Sequence, residues 1–215
     1  MISIILPIKN GVEYLDECIR SIKEQTFTMW ELHIGINGID DKEKELEIRQ
    51  KVNEQISVCK LNTIGKPATL NQLLNYCNYD WIALIDVDDK WEKTKLEKQW
   101  EYRKKYDVIG TGCKYFGDKN HHPDIPYDEL DINQFKVNPV INSSVLMKKK
   151  LAHWNEDFPI LEDYELWLRL INQGYKFFNI NETLIYHRIH KDSFFNTQKE
   201  KEKIYLEKLN KIYYN

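Results

Sequence analysis

Trp81-Ile82-Ala83-Leu84-Ile85-Asp86-Val87-Asp88-Asp89 is the stretch on which the reading of this chain turns. An unbroken apolar run gives way at once to three carboxylates. A short, continuous apolar run bounded by polar residues reads as a strand buried on both faces. In an open α/β sheet, ligands bind outside the carboxyl ends of the strands. Acids placed just beyond such a strand therefore face the crevice. Asp86 and Asp88 are two apart, and in an extended segment they point the same way. Their oxygens suit Mg²⁺ or Mn²⁺, ions that complete their shells with water and substrate phosphates. The same triplet also reads as an acidic turn, with Asp89 capping the helix that carries Leu96.

Toward the N-terminus, Ile2 to Ile8 is another short apolar run and reads as a buried strand. Asn10-Gly11 makes a turn, and Leu15, Cys18, Ile19 and Ile22 then fall at helical spacing. Glu31 to Ile36 and Ile56 to Leu61 read as strands, with a charged helix around Leu46 and Val52 between them. Pro67 suits the first turn of a helix whose apolar face is Leu70, Leu73, Leu74 and Cys77. Strand and helix thus alternate up to Ile85. That pattern predicts an α/β fold, Rossmann-like, with a mostly parallel central sheet and helices on both faces.

Toward the C-terminus the pattern is less regular. Leu96 and Trp100 mark a helix, Val108 to Phe116 one or two strands, and Ser143 to Met147 a strand. Lys119 to Asp131, with Pro123 and Pro126, reads as a loop. Tyr164, Trp167, Leu168 and Ile171 mark a helix stopping at Gly174, and Thr183 to Ile189 a further strand. Ile204, Leu209 and Ile212 form the stripe of a tail helix.

A chain of 215 residues predicts one domain, and no linker or repeat interrupts it. Net charge is −3 at pH 7, so there is no basic excess of the kind nucleic-acid partners require. A polyphosphate ligand would need a local solution, such as a divalent cation. Cys18, Cys59, Cys77 and Cys113 are widely spaced and form no C-x-x-C pair, which favours small core residues over zinc or redox sites. No apolar run reaches the roughly 18 residues that span a bilayer. The start lacks the basic region of a signal peptide. The expectation is a cytoplasmic protein, soluble or peripheral at the membrane.

Five segments, in order, resemble the family 2 glycosyltransferases of the GT-A fold. Ser3-Ile4-Ile5-Leu6-Pro7-Ile8-Lys9-Asn10 is similar to that family's first strand and turn. Ser21-Ile22-Lys23-Glu24-Gln25-Thr26-Phe27 resembles its first helix end, and Leu84 to Trp91 its L-D-x-D-D-x-W segment. Leu161-Glu162-Asp163-Tyr164-Glu165-Leu166-Trp167-Leu168-Arg169-Leu170 resembles its E-D-x-[DE]-L-W-L-R-L helix. Tyr186-His187-Arg188-Ile189-His190 resembles its terminal Y-R-x-H, with one residue shifted.

The resemblance implies an inverting transfer of sugar from a nucleoside-diphosphate sugar, a UDP-sugar foremost, to a glycan or lipid-linked acceptor. It implies Mn²⁺ or Mg²⁺ on the donor diphosphate, with Asp88 and His190 as ligands and Asp86 either as a further ligand or at the ribose or a metal-bound water. It makes Asp163, with Glu162 beside it, the base for the acceptor hydroxyl. An acid in a helix's first turn also reads as a cap or dipole partner. Residues 1–110 would form the nucleotide-sugar half, 111–195 the acceptor and catalytic half with a small antiparallel part, and 196–215 a C-terminal helix.

The resemblance places Pro7, Lys9 and Asn10 under the nucleoside, with Val87 in the donor site. Gly65-Lys66, with Asn71 five positions on, resembles a segment near the base or ribose. Asn37 stands where the family usually has a base-contacting Asp; it keeps an acceptor for an imide N–H but loses the charge-assisted bond. Asn142 and Ser143 resemble a segment lining the acceptor side. Trp91 and Trp154 read either as core or as platforms for a sugar face. The loop with His121 and His122 either covers the site or lies in solvent. The lysine-rich tail either rests on an anionic membrane or packs on its own domain.

Two rival readings differ in class. A nucleotidyltransferase would show a Gly-rich basic loop where this chain has Pro7-Ile8-Lys9-Asn10-Gly11. A non-catalytic nucleotide-sugar or carbohydrate binder is suggested by Asn37 and opposed by the retained Asp86, Asp88, Asp163 and His190.

Overall fold

In the computed structural model, which describes residues 1–191 and 199–214, strand and helix alternate from the start. β1 (Ile2–Ile8), α1 (Leu15–Lys23), β2 (Trp30–Asn37), α2 (Lys42–Arg49), β3 (Ile56–Leu61), α3 (Lys66–Leu73) and β4 (Trp81–Leu84) follow one another. β2 and β4 flank β1, and β3 lies outside β2, all in parallel. Parallel neighbours need a long crossover, and the three helices supply it. α1 turns Leu15, Cys18, Ile19 and Ile22 into the core, as their spacing predicts. α2 differs: Leu46 is exposed, Val52 lies beyond the helix, and Ile48 alone in that helix is buried.

The second half adds β5 (Lys90–Trp91), α4 (Lys95–Tyr102), β6 (Val108–Gly117), β7 (Asp128–Leu130), β8 (Leu146–Lys148), α5 (Glu162–Asn172), β9 (Phe177–Ile189) and α6 (Lys199–Tyr213). Among the described residues the strand order is β3-β2-β1-β4-β8-β6-β9-β5, with β7 also on β9. β8 runs antiparallel to both β4 and β6, and β9 is parallel to β6. β5 and β7 pair antiparallel with β9 at different points along it. The sheet therefore turns mixed at β8.

Three elements depart from the sequence reading. Residues 142–144 form a 3₁₀ turn rather than the start of β8, because Ser144 donates both its N–H and its hydroxyl to the Ile141 carbonyl. β9 begins at Phe177, six residues before Thr183. Asn179 hides that start; it is buried, and its amide donates to the carbonyls of Pro126 and Pro139. Those bonds also bring the 119–131 segment to the sheet, where part of it becomes β7.

Apolar clusters fill both faces. One gathers β1 and β2 side chains with α1; the other gathers α3, α5, Trp154 and Phe177. α6 lies on the second cluster through Leu209, with Tyr205, Leu206 and Tyr213 against it. Ile204 and Ile212 face outward, so the stripe is rotated from the expected one. Of the expected 196–215 helix, residues 196–198 and 215 lie outside the described residues. Among the described residues no helix is long and apolar enough to cross a membrane.

Candidate active site at the carboxyl ends of the strands

β4 ends at Leu84, and the acidic triplet after it is not extended. Asp89 N–H donates to the Asp86 carbonyl at 3.1 Å, closing a turn over residues 86–89. The expectation that Asp86 and Asp88 point together fails for that reason, and each carboxylate has its own partner. Asp86 lies 2.8 Å from Lys66 Nζ and accepts from Asn142 Nδ2 at 3.4 Å. Its backbone N–H donates to Ser143 Oγ at 3.0 Å. Asp88 Oδ2 lies 3.2 Å from His190 Nε2. Asp89 is 1 % exposed and caps no helix. It takes the Arg188 N–H at 2.9 Å and His187 Nδ1 at 3.0 Å.

Charge crowding at this turn is strong. Burial and repulsion from Asp89 and Asp86 push the Asp88 carboxyl up to about 6. Burial alone would lower His187, but the adjoining Asp89 carboxylate carries it up to about 9. Burial would raise Asp86, yet the Lys66 ammonium holds it below its usual range. A carboxylate crowded by like charges beside an imidazole nitrogen is a donor set suited to a hard or borderline cation. Asp88 and His190 supply two such donors at bonding separation of one another. Among the described residues no group of three or more His, Cys, Asp or Glu converges. An ion held by this pair alone would take its other ligands from water and phosphate. Asp86, expected as a further ligand, faces Lys66 instead.

The acid pair begins α5. Leu161, just before it, adopts a left-handed conformation (φ 61°), uncommon for a side chain of its size. Glu162 is 7 % exposed, with Oε1 3.4 Å from Lys66 Nζ. Burial, opposed by Lys66 and reinforced by Asp163, pushes its carboxyl up to about 7. Asp163 is half-buried, accepts from Asn138 Nδ2 at 2.9 Å, and is raised by burial against the pull of Lys66. The second half thus folds over the strand ends, and Lys66 joins the β4 turn to α5.

The remaining expected residues divide. At the ends of β1 and β2, Pro7 is half-buried while Lys9, beside Gly38, and Asn10 are exposed. Asn37 is buried and donates to Thr69 Oγ1 at 2.6 Å; Thr69 in turn donates to the Gly65 carbonyl at 2.8 Å. Asn71 is held on another segment. Both halves of its amide clamp the Trp154 backbone, at 2.9 Å each. Val87 is buried against Gly11. Trp91 is 4 % exposed and its indole N–H donates to the Ser143 carbonyl at 2.8 Å, so it supports the site from beneath. Trp154 is wholly buried in the core. Ser143 is buried too and acts on the Asp86 backbone, while Asn142 reaches the Asp86 carboxylate and keeps a buried Oδ1 without a hydrogen bond among the described residues. His121 lies edge-on to Tyr115, and His122 sits on the Cys113 carbonyl.

Asn138, His187, Arg188 and Glu17 were not singled out by sequence. Arg188 and His187 lay in plain view within the 186–190 segment. Glu17 shows nothing beyond the polar face of α1.

The sequence model described as "Glycosyl transferase family 2" matches residues 3–160. The chain is 29 % identical to the O-antigen biosynthesis glycosyltransferase WbnJ of Escherichia coli, over 90 % of this chain and 81 % of that protein. It is 25 % identical to the putative teichuronic acid biosynthesis glycosyltransferase TuaG of Bacillus subtilis, over 88 % of this chain and 79 % of that protein. Among solved structures, S. aureus TarS 1–349 in complex with UDP-GlcNAc superposes with a TM-score of 0.73 at 16 % identity, covering 91 % of this chain. The mannosyltransferase PcManGT of Pyrobaculum calidifontis, in complex with GDP-Man and Mn²⁺, gives 0.69 at 12 % identity, covering 90 %. The chain spans 60 % and 58 % of those two solved chains. At such identities the likeness is one of fold. Glu162, Asp163 and His190 lie beyond the matched residues 3–160, so that match does not bear on them.

Proposed function

The chain belongs to glycosyl transferase family 2, a family of transferase enzymes, and has the GT-A fold; on that premise we propose that it moves a sugar from a nucleoside-diphosphate sugar to a hydroxyl of a glycan or lipid-linked acceptor. The donor we assign first is a UDP-sugar, and the transfer inverts the anomeric carbon. The observation that carries this reading is the Lys66 ammonium lying between Asp86 and Glu162, at 2.8 and 3.4 Å. It joins an acid at the nucleotide end of the sheet to an acid at the start of α5.

In this reading Asp88 and His190 hold Mg²⁺ or Mn²⁺. Such an ion supplies charge neutralisation for a departing diphosphate. Asn37, at the end of β2, presents its amide carbonyl to an imide N–H of the base, because its NH₂ is engaged by Thr69. Pro7, near the end of neighbouring β1, and Lys9, just beyond that end, lie beside that position. Asp86 takes a ribose hydroxyl. Asp163, more open than Glu162 and oriented by Asn138, accepts the proton of the attacking hydroxyl. Glu162 fixes Lys66. Displacement by that hydroxyl from the face opposite the diphosphate gives the inversion.

The proposal assigns residues 1–110 to the donor and 111–195 to the acceptor; of these, 192–195 lie outside the described residues. It places the protein in the cytoplasm, free or at the membrane surface. The test is to incubate the protein with UDP- and GDP-sugars, Mn²⁺ and candidate acceptors, and to read the anomeric configuration of product by NMR. The opposite configuration to the donor is expected. Retained configuration would overturn the mechanism. Tight nucleotide binding with neither transfer nor hydrolysis would favour the non-catalytic reading.

A further inference from the structure

Asp88 and His190 are 102 positions apart in the chain, and several of the contacts that hold their segments together meet at Arg188. Its Nε donates to the Asp88 carbonyl at 3.0 Å. Its backbone N–H donates to the Asp89 carboxylate at 2.9 Å. Its Nη2 reaches Glu17. The guanidinium lies 4.5 Å from the centre of the Tyr14 ring and 4.3 Å from that of Phe116. The side chain is only 16 % exposed.

Glu17 is shared. It also takes Lys90 Nζ at 2.8 Å, and Lys90 lies 4.6 Å from the Phe116 ring centre. The Lys90 bond, against burial and with the Arg188 charge, keeps the Glu17 carboxyl below its usual range. One carboxylate thus serves two cations packed on one ring. Tyr14, the other ring near the Arg188 guanidinium, lies 5.5 Å from the His190 ring. Arg188 therefore touches the backbone of Asp88, the turn residue beside it, and the aromatic ring against which His190 rests.

This arrangement suits orientation better than charge neutralisation. The guanidinium meets the Asp88 carbonyl, not its carboxylate, and Glu17 offsets its charge. A planar fork can hold a carbonyl and a carboxylate at once while lying flat on rings; an ammonium cannot. We propose that Arg188 is a positioning residue for the Asp88–His190 pair, fixed in turn by Glu17 and the Tyr14 and Phe116 rings. The proposal rests on the reading of that pair as the divalent-metal ligands.

The experiment measures Mn²⁺ affinity by the electron paramagnetic resonance signal of free Mn²⁺ in the presence of UDP. Wild type, Arg188→Lys and Glu17→Gln are compared, with UDP affinity measured separately without metal. Outer-shell partners of metal ligands typically contribute about 10–100-fold in affinity. Arg188→Lys keeps the charge, so it is expected to weaken Mn²⁺ by about tenfold or more while metal-free UDP affinity stays within about twofold. Glu17→Gln leaves the Arg188 fork in place and is expected to weaken Mn²⁺ in the same direction by a few-fold, which serves should the lysine variant fail to fold. Unchanged Mn²⁺ affinity in a folded Arg188→Lys protein would overturn the proposal and leave the metal reading standing. If wild type itself binds no Mn²⁺ with UDP, the metal reading falls first and the proposal with it.

Discussion

Lys66 and Glu162 meet at 3.4 Å, although one begins α3 and the other α5. The same ammonium lies 2.8 Å from Asp86. Burial would depress a lone lysine, but Asp86 and Glu162 raise this one above its usual range. The positive charge is therefore permanent at neutral pH, and both carboxylates depend on it.

Removing that charge leaves two crowded acids. Lys66→Met is expected to lower kcat/KM by roughly a hundredfold, about 2–3 kcal/mol of transition-state stabilisation. Steady-state kinetics with the preferred donor checks it. Lys66→Arg, which keeps the charge, is expected to retain more activity than Lys66→Met; equal losses would argue that shape, not charge, matters there.

The acid pair sets the pH dependence. Burial lifts both carboxyls, Glu162 up to about 7. On the proposed mechanism the working form has a free carboxylate base, so kcat/KM is expected to rise with pH through about 7 and to fall below it. The two acids titrate as a pair. Asp163→Asn is expected to lower kcat by about 10²–10⁴-fold with donor affinity nearly unchanged by calorimetry. Glu162→Gln is expected to shift or flatten the acidic limb while retaining more turnover. The reverse ranking of the two variants would exchange their roles.

A separate carboxylate governs acid stability. Glu31 accepts from Ser3 Oγ at 2.6 Å and from the Asn78 backbone and side chain at 2.8 Å each. Burial opposes these bonds, but they hold its carboxyl down at about 2 against an ordinary 4.5. A depressed carboxyl contributes stability that is complete above its unfolded value and lost as pH falls through its folded one. That contribution, of order 2–3 kcal/mol, is expected to vanish between about pH 5 and pH 2. Urea unfolding should show Glu31→Gln less stable than wild type at pH 7, with the gap closing toward pH 2. A constant gap would contradict the account.

The proposed nucleoside site at Asn37 yields a gain-of-affinity variant. Asn37→Asp restores a charge-assisted bond to an imide N–H. The Thr69 hydroxyl, now accepting from Asn37, would turn to donate to the new carboxylate. UDP is expected to bind about three- to tenfold tighter. Unchanged or weaker UDP binding by calorimetry would remove Asn37 from the base site.

The strands of the first half were legible because each is a continuous apolar run, and the crossover helices announced themselves through the spacing of Leu15, Cys18, Ile19 and Ile22 or through Pro67. Beyond β4 the signals are carried by polar residues that only a fold can satisfy. Asn179 masks the start of β9 until Pro126 and Pro139 supply its acceptors. In the triplet, period-two reasoning failed because residues 86–89 close a turn. Asn71 looked like a ligand contact and is a clamp on Trp154. Arg188 meets Glu17 across 171 positions, a pairing no local pattern encodes.

The most direct test of the central claim is a calorimetric titration of UDP and GDP, each with and without Mn²⁺, into wild type, Asp88→Asn and His190→Ala. A metal-dependent nucleotide site is expected to bind one of the two at least about tenfold tighter with Mn²⁺, roughly 1.4 kcal/mol, with UDP the favoured one. That gain should disappear in both variants while the metal-free affinity persists. Nucleotide binding that is indifferent to Mn²⁺ in wild type would contradict the assignment of Asp88 and His190. No binding of either nucleotide under any condition would contradict the donor class itself.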